Sequence, residues 1–256
     1  MAERQPFGPT DPRVISMFDA LAGAAASAGI LFDVDGTLSP IVERPELAEL
    51  AAGARPALSR LVGRYRVVAA ISGRTRDELE RLVDVAGVRL VGSYGLATGS
   101  VAAHVISAVQ AASDEVEGAW VETKGATIAV HYRAAPDVNV AARMLEERLG
   151  ALAVPARMAL VPGKRVVELV PAGLPLKEGA VERIIEDERL RAVLYGGDDV
   201  ADLRAFEALD RAREDGRLEH AVKVAVRGAE TPDALEAAAD VVVDGPAEMI
   251  ELLATL

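Results

Sequence analysis

Ile30-Leu31-Phe32-Asp33-Val34-Asp35-Gly36-Thr37 is the stretch from which the rest of the chain can be read. Three large apolar residues run into a polar, glycine-containing turn, which is the pattern of a buried strand ending at an open edge. Upstream, the spacing of Val14, Ile15, Phe18 and Leu21 predicts a helix from about Asp11 to Ala28, closing near Gly29. Residues 1–12 carry three prolines and read as a loose lead-in. Downstream, a helix over 46–65 precedes the apolar strand Val67–Ile71 and the turn Ser72-Gly73-Arg74. A helix over 75–85 then leads to a strand at Val88–Val91. Apolar strands alternating with helices imply a parallel sheet covered on both faces, a doubly wound α/β domain.

The rhythm changes after Gly95. Residues 101–117 and Val138–Leu149 read as helices, while Val121–Arg133 and Arg157–Val170 alternate apolar and polar residues as half-exposed strands do. This is the pattern of a small α+β unit. The first rhythm returns with a helix at 177–189, the strand Ala192–Tyr195, the turn Gly196–Asp199 and a helix at 201–213. Strands at Val222–Val226 and Val241–Val243 and a last helix at 246–255 complete it. The expected organisation is an α/β core at 1–97 and 173–256, interrupted by an inserted unit at 98–172.

Composition narrows the function. The 256 residues carry a formal net charge of -12, so the surface repels nucleic acid and anionic membrane. No cysteine is present, which excludes disulfides, thiolate metal sites and thiol nucleophiles. Asp19 interrupts the Ala-rich segment 14–32, so it reads neither as a secretory signal nor as a membrane span. The expectation is a cytoplasmic monomer without nucleic-acid or membrane partners.

In open parallel sheets, functional groups gather beyond the carboxyl ends of the strands. Three strand ends here carry polar clusters: Asp33-Val34-Asp35-Gly36-Thr37, Ser72-Gly73-Arg74 and Gly196-Gly197-Asp198-Asp199. Lys177 opens the helix that follows the insert. Asp33, Asp35, Asp198 and Asp199 crowded into one crevice cannot all stay ionised without a cation. Oxygen donors alone select a hard one, so Mg²⁺ is expected. With Lys177 as a fixed charge and Ser72 as a hydroxyl donor, the set describes a phosphoryl-transfer site. A polar turn would by itself explain Asp-x-Asp-Gly-Thr; the other pieces, in order after their strands, favour chemistry.

These motifs resemble the four signatures of the haloacid dehalogenase superfamily. Within it the chain is similar to the trehalose-6-phosphate phosphatases, on Ile41–Pro45, Ile71–Arg74, Lys124-Gly125 through Ala129–Arg133, and Gly163-Lys164 through Val167–Leu169. The resemblance implies that Asp33 attacks phosphorus and that Asp35 protonates the leaving sugar oxygen. It implies Mg²⁺ on Asp33, the Asp35 carbonyl and Asp198, with Asp199 or Asp202 in support. Thr37, Ser72, Gly73 and Lys177 would hold the phosphoryl group. The insert would be a cap reading a small-molecule sugar phosphate through Lys124, His131, Arg133, Lys164 and Glu168. For His131, Arg133 and Lys164 a purely structural or solvated role stands beside this one, and Trp120 suits a core, hinge or stacking position. His104 and His220 read as solvated.

The chain departs from the family pattern at Ala97 in place of Glu, Glu178 in place of Gly, Val170-Pro171 in place of Arg-Pro, and Ala201-Asp202-Leu203-Arg204 in place of Thr-Asp-Glu-Asp. These departures bear on sugar preference, and a phosphatase for another phosphorylated disaccharide or pseudo-disaccharide is the nearest rival. A phosphate-receiving signalling domain also gathers carboxylates, but needs about half this length and no insert. A catalytically silent homologue conflicts with the intact Asp33 and Asp35. A dinucleotide-binding enzyme conflicts with a first turn that lacks Gly-x-Gly-x-x-Gly.

Overall fold

The computed structural model describes residues 11–96 and 99–256. Residues 1–10 of the lead-in, Ala97 and Thr98 lie outside them, and Asp11 and Pro12, read as the end of that lead-in, open the first helix. The chain forms two compact units, one comprising residues up to Tyr94 and from Lys177 onward, the other Gly95–Leu176. The divisions fall at 94/95 and 176/177, against 97/98 and 172/173 read from the sequence. Residues 93 and 94 stay with the first unit because the Ser93 and Tyr94 amides donate to the carbonyls of Arg74 and Ser72.

The first unit begins with α1 (Pro12–Gly23) and β1 (Ala28–Phe32), continues through α2 (Ala54–Arg64), β2 (Val67–Ile71), α3 (Arg76–Val83) and β3 (Arg89–Val91). The second unit contributes α4 (Ala103–Asp114), β4 (Trp120–Lys124), β5 (Thr127–His131), α5 (Val138–Ala153), β6 (Met158–Gly163) and β7 (Val166–Pro171). The chain then returns with α6 (Lys177–Glu188), β8 (Ala192–Gly197), α7 (Val200–Glu214), β9 (His220–Arg227), α8 (Asp233–Ala238), β10 (Val241–Asp244) and α9 (Gly245–Thr255).

The six strands of the first unit are all parallel, in the order β10-β9-β8-β1-β2-β3. Alternate residues of each strand enter opposite cores. Ile30, Phe32, Val68, Leu194 and Val224 pack with Leu58 and Leu61 of α2 and Met249 and Leu253 of α9. Leu31, Ala69, Ile71, Val193 and Tyr195 pack with Val181 and Ile184 of α6 and Phe206 and Leu209 of α7. Both faces being covered explains why β1, β2 and β8 read as unbroken apolar runs. The strand order reverses between β1 and β8. This is where such sheets open a crevice beyond the strand ends.

The four strands of the second unit are antiparallel, ordered β4-β5-β7-β6. Ile128, Val130, Val167 and Leu169 face Val105 and Val109 of α4 and Leu145 and Leu149 of α5. The sequence expectation of a small sheet with helices on one face is therefore met.

Two element readings need correction, and one helix has no counterpart among them. The first helix stops at Gly23, and Ala28 and Gly29 belong to β1, paired with Ala192 and Val193. The helix propensity of Ala28 yields to pairing with β8, and Gly29 leaves room for Leu190, whose Cδ1 would lie 2.7 Å from a Cβ built there. The helix read over 46–65 begins only at Ala54, after Gly53 at φ 82°, while residues 45–47 form a single 3₁₀ turn opened by Pro45. Helix α8 was not foreseen; at six residues it is too short for periodicity to reveal.

Candidate active site

Continuing the β1–β8 register one residue past Phe32 and Gly196 brings Asp33 beside Gly197, and the Asp33 amide donates to the Gly196 carbonyl at 2.9 Å. The chain then turns tightly, with the Leu38 and Ser39 amides both donating to the Val34 carbonyl and the Gly36 amide to Ser39. Gly36 sits at φ 83°, and a Cβ built there would overlap the Asp198 carboxylate. Glycine is required twice over, for its backbone conformation and for its missing side chain. Thr37 Oγ1 donates to Asp198 Oδ1 at 3.3 Å. Across the crevice, a Cβ on Gly197 would overlap the Asp202 side chain.

Lys177 is the first residue of α6, where a cation meets the unfavourable end of the helix dipole. It is buried, and two carboxylates hold it: Nζ lies 3.0 Å from Asp33 Oδ2 and 2.7 Å from Asp202 Oδ1. Asp202 Oδ1 also accepts from the Tyr195 hydroxyl at 2.7 Å. Its Oδ2 accepts from the amides of Asp198 and Asp199 at 2.9 and 3.1 Å. Asp202 thus fixes both Lys177 and the backbone from which Asp198 projects. Asp199 turns its carboxylate to the N-terminus of α7, accepting from the Ala201 amide at 2.6 Å.

Among the described residues, Asp33, Asp198 and Asp202 form a buried cluster whose carboxylate oxygens lie within 4.8 Å of one another and could hold a metal ion. The electrostatics agree with that reading. Burial, reinforced by the charges of Asp202, Asp198 and Asp35, pushes the Asp33 carboxyl well above its ordinary range, and Lys177 offsets this only in part. Burial works against the Lys177 charge, but Asp202, Asp33 and Asp199 outweigh it and hold the ammonium above its usual range. Three buried carboxylates against one ammonium leave an excess of negative charge, and all-oxygen donors match a hard divalent cation.

The remaining predicted groups of this unit stand around the cluster. Ser72 follows β2, is buried, and accepts from the Arg74 amide through Oγ at 3.2 Å. Gly73 lies under Tyr94, whose hydroxyl is 2.5 Å from where a Cβ would be. The Asp35 carboxylate is gripped by Arg74, with Nε to Oδ2 and Nη2 to Oδ1 both at 2.7 Å. Neither the turn position of Arg74 nor the strand position of Tyr195 marks it as functional from the sequence pattern alone. A phenol inside an otherwise apolar strand was the available signal for Tyr195, since buried hydroxyls require partners.

In the second unit, the register places Trp120, Glu122, Lys124, Thr127, His131 and Glu168 on the sheet face opposite the helices. Glu168 Oε1 accepts from Thr127 Oγ1 at 2.8 Å. Glu122 Oε2 lies 2.8 Å from His131 Nε2 and 3.2 Å from Lys124 Nζ. Burial raises the Glu122 carboxyl, but these two partners prevail and leave it below its ordinary range. Trp120 stacks on the His131 ring at 4.1 Å between centroids and is 38% exposed, so it is not a core residue. Arg133 Nη2 donates to the Lys164 carbonyl at 2.8 Å, away from the Glu168 and Lys124 positions in register. His104 and His220 are exposed, as read from the sequence.

The family model of the trehalose-phosphatases matches residues 31–113 and 98–240. The chain belongs to that family. A trehalose-phosphate phosphatase of Mycobacterium avium is 34% identical over 75% of this chain and 53% of its own length. The chain spans about half of that relative, and 15% of a longer Mycobacterium tuberculosis relative described as an uncharacterized glycosyl hydrolase. The C-terminal domain of a Candida albicans trehalose-6-phosphate phosphatase superposes with a TM-score of 0.79 at 22% identity, covering 99% of this chain and 100% of that one. A haloacid dehalogenase-like hydrolase from Bacteroides thetaiotaomicron gives 0.57 at 15% identity over 88% and 98% of the two chains. The fold is therefore the haloacid dehalogenase-like one of the trehalose-phosphatases. Among the described residues, no helix is long and apolar enough to cross a membrane.

Proposed function

We propose that this chain hydrolyses trehalose 6-phosphate to trehalose and phosphate through an aspartyl-phosphate on Asp33, with Mg²⁺ as cofactor. One observation carries the reading: Asp33, at the end of β1, lies within 3.0 Å of Lys177 and shares a buried carboxylate cluster with Asp198 and Asp202.

Asp33 and Asp198 would hold the ion with the Asp35 carbonyl, while Asp202 supports them through Lys177 and the Asp198 and Asp199 amides. The ion would supply charge neutralisation, letting Asp33 stay ionised and an anionic phosphoryl group approach. An oxygen of Asp33 forms the new bond to phosphorus as the bond from phosphorus to the sugar oxygen breaks. Asp35 gives that oxygen its proton. Water then attacks phosphorus of the aspartyl-phosphate, gives up its proton to Asp35, and frees Asp33 and inorganic phosphate. Two modest barriers replace one high one. Lys177, Ser72, Thr37 and the Gly73 backbone would orient the phosphoryl oxygens.

The core recognises only the phosphate, so the sugar must be read by other residues. The polar sheet face of the inserted unit offers Lys124 and Glu168 for hydroxyls, with His131, Arg133 and Lys164 as further contacts. A cytoplasmic location and a monomeric state fit this role.

The test is phosphate release from trehalose 6-phosphate, glucose 6-phosphate and sucrose phosphate side by side, with and without Mg²⁺. Turnover of trehalose 6-phosphate above the others, abolished by exhaustive chelation, is the expected result. Preference for another disaccharide phosphate would correct the substrate, and turnover that survives chelation would overturn the site.

A further inference from the structure

Arg74 is tied to the site from two directions. Its side chain is 9% exposed and grips Asp35 in a fork of two 2.7 Å hydrogen bonds, with Nη1 donating to the Pro45 carbonyl at 3.0 Å. Its backbone belongs to the turn after β2, where its amide donates to Ser72 Oγ and its carbonyl accepts from the Ser93 amide. One residue therefore spans the loop after β1 and the turn after β2. A planar guanidinium meeting both oxygens of a carboxylate fixes the rotation of that carboxylate as well as its position, which an ammonium cannot do. The asymmetry of burial sets which partner is the anchor. Arg74 is enclosed, while the Asp35 side chain is 30% exposed.

We infer that Arg74 is the positioning residue for Asp35: each Asp35 oxygen accepts one hydrogen bond in the fork and keeps a second lone pair, so the proton given to the leaving oxygen sits on an oxygen whose orientation relative to Ser72 is fixed. Arg74 touches no reacting atom in this scheme. The inference rests on the proposed role of Asp35, and extends it to a residue whose contribution depends on the leaving group. An alkoxide of a sugar needs its proton as the bond to phosphorus breaks. A nitrophenolate does not. Loss of Arg74 should then slow sugar phosphates strongly and 4-nitrophenyl phosphate little, because a misplaced acid costs about a hundredfold only where the acid is needed.

The experiment measures kcat/KM, which ends at the departure of the leaving group, for trehalose 6-phosphate and 4-nitrophenyl phosphate. The enzymes are the parent, Arg74→Gln, Arg74→Lys, Asp35→Asn and the double variant Asp35→Asn/Arg74→Gln. Arg74→Gln should lose about a hundredfold on the sugar phosphate and less than about tenfold on the aryl phosphate. Arg74→Lys, which keeps the charge but not the fork, should fall between. The double variant should be no slower than Asp35→Asn alone, since residues acting through one another are not additive. Equal losses of Arg74→Gln on both substrates would mean a merely structural role. So would a double variant slower than Asp35→Asn by the full Arg74→Gln factor, and either result overturns the inference. If Asp35→Asn itself shows no dependence on the leaving group, the proposed role of Asp35 fails first and the inference with it. Arg74→Lys, which preserves the buried charge, keeps the comparison available should Arg74→Gln fold poorly.

Discussion

Burial and the charges of Asp202, Asp198 and Asp35 raise the Asp33 carboxyl, so in the metal-free protein this residue sets function against stability. A carboxyl whose folded pKa lies above its unfolded one contributes stability that is fully present below the ordinary carboxylate range and is lost as pH rises through the folded pKa. Chelated protein should therefore lose thermal stability as pH rises above about 4. Asp33→Asn should flatten that part of the profile and raise the metal-free Tm near neutrality, each ~1 kcal/mol being worth about 2–4 °C for a chain of this size. The same substitution should abolish turnover, because an amide does not attack phosphorus. Calorimetry across pH on both chelated proteins, beside phosphate release with Mg²⁺, checks the pair; substantial residual turnover in Asp33→Asn would remove it as nucleophile. The Asp-x-Asp pair was legible in the sequence because strand and turn lie within eight consecutive residues. The fork between Arg74 and Asp35 was not, since its partners are 39 residues apart on separate strand ends and no periodicity links them.

At the level of elements, the strands were the readable part of the fold. Each inner strand of the parallel sheet is enclosed on both faces, so β1, β2 and β8 announce themselves as apolar runs ending in polar turns. Helix limits were less legible, because Ala-rich residues such as Ala28 carry helix propensity that strand pairing overrides, and because the loop after β1 is held by tertiary bonds. Ser39 Oγ donates to the Glu49 carbonyl, and Arg74 reaches Pro45 from another element. That loop also carries a testable consequence. Gly36 combines a left-handed backbone with direct contact against Asp198, so Gly36→Ala is strained in conformation and displaces a proposed metal ligand. The expected result is a weakened response to Mg²⁺ together with a lower Tm, the backbone part alone costing about 1–3 kcal/mol. Titration of activity and of Tm with Mg²⁺ measures both, and an unaltered Mg²⁺ dependence would show that Asp198 is not a ligand.

On the scale of the whole molecule, the chain divides its work between two units with different surfaces. The first concentrates buried charge at strand ends, and with a net charge of -12 the proposed anionic substrate would be held there by local groups such as Lys177 rather than by the general field. The second presents a polar sheet face, where Glu168 is buried yet bonded to Thr127 and Lys124 is paired with Glu122. Side chains already oriented by neighbours can recognise hydroxyls at little ordering cost. A site built to hydrogen-bond a hydroxyl also discriminates more sharply than an apolar one, because its own groups are left unpaired by the wrong ligand. Lys124→Ala and Glu168→Ala should therefore raise KM for trehalose 6-phosphate by about tenfold or more, one lost hydrogen bond to a charged group being worth about 1.5–3 kcal/mol. An aryl phosphate, which offers no hydroxyls, should keep its KM within about twofold by the same reasoning. Val170, where the sequence resemblance to the trehalose-phosphatases leads one to expect Arg, is buried in β7, so the preference over other disaccharide phosphates should be looser than a full set of polar contacts would give. Steady-state kinetics of both variants on the sugar and aryl substrates decide the matter: parallel changes on the two would mean a folding defect, and unchanged KM on every sugar phosphate would take sugar recognition away from this face.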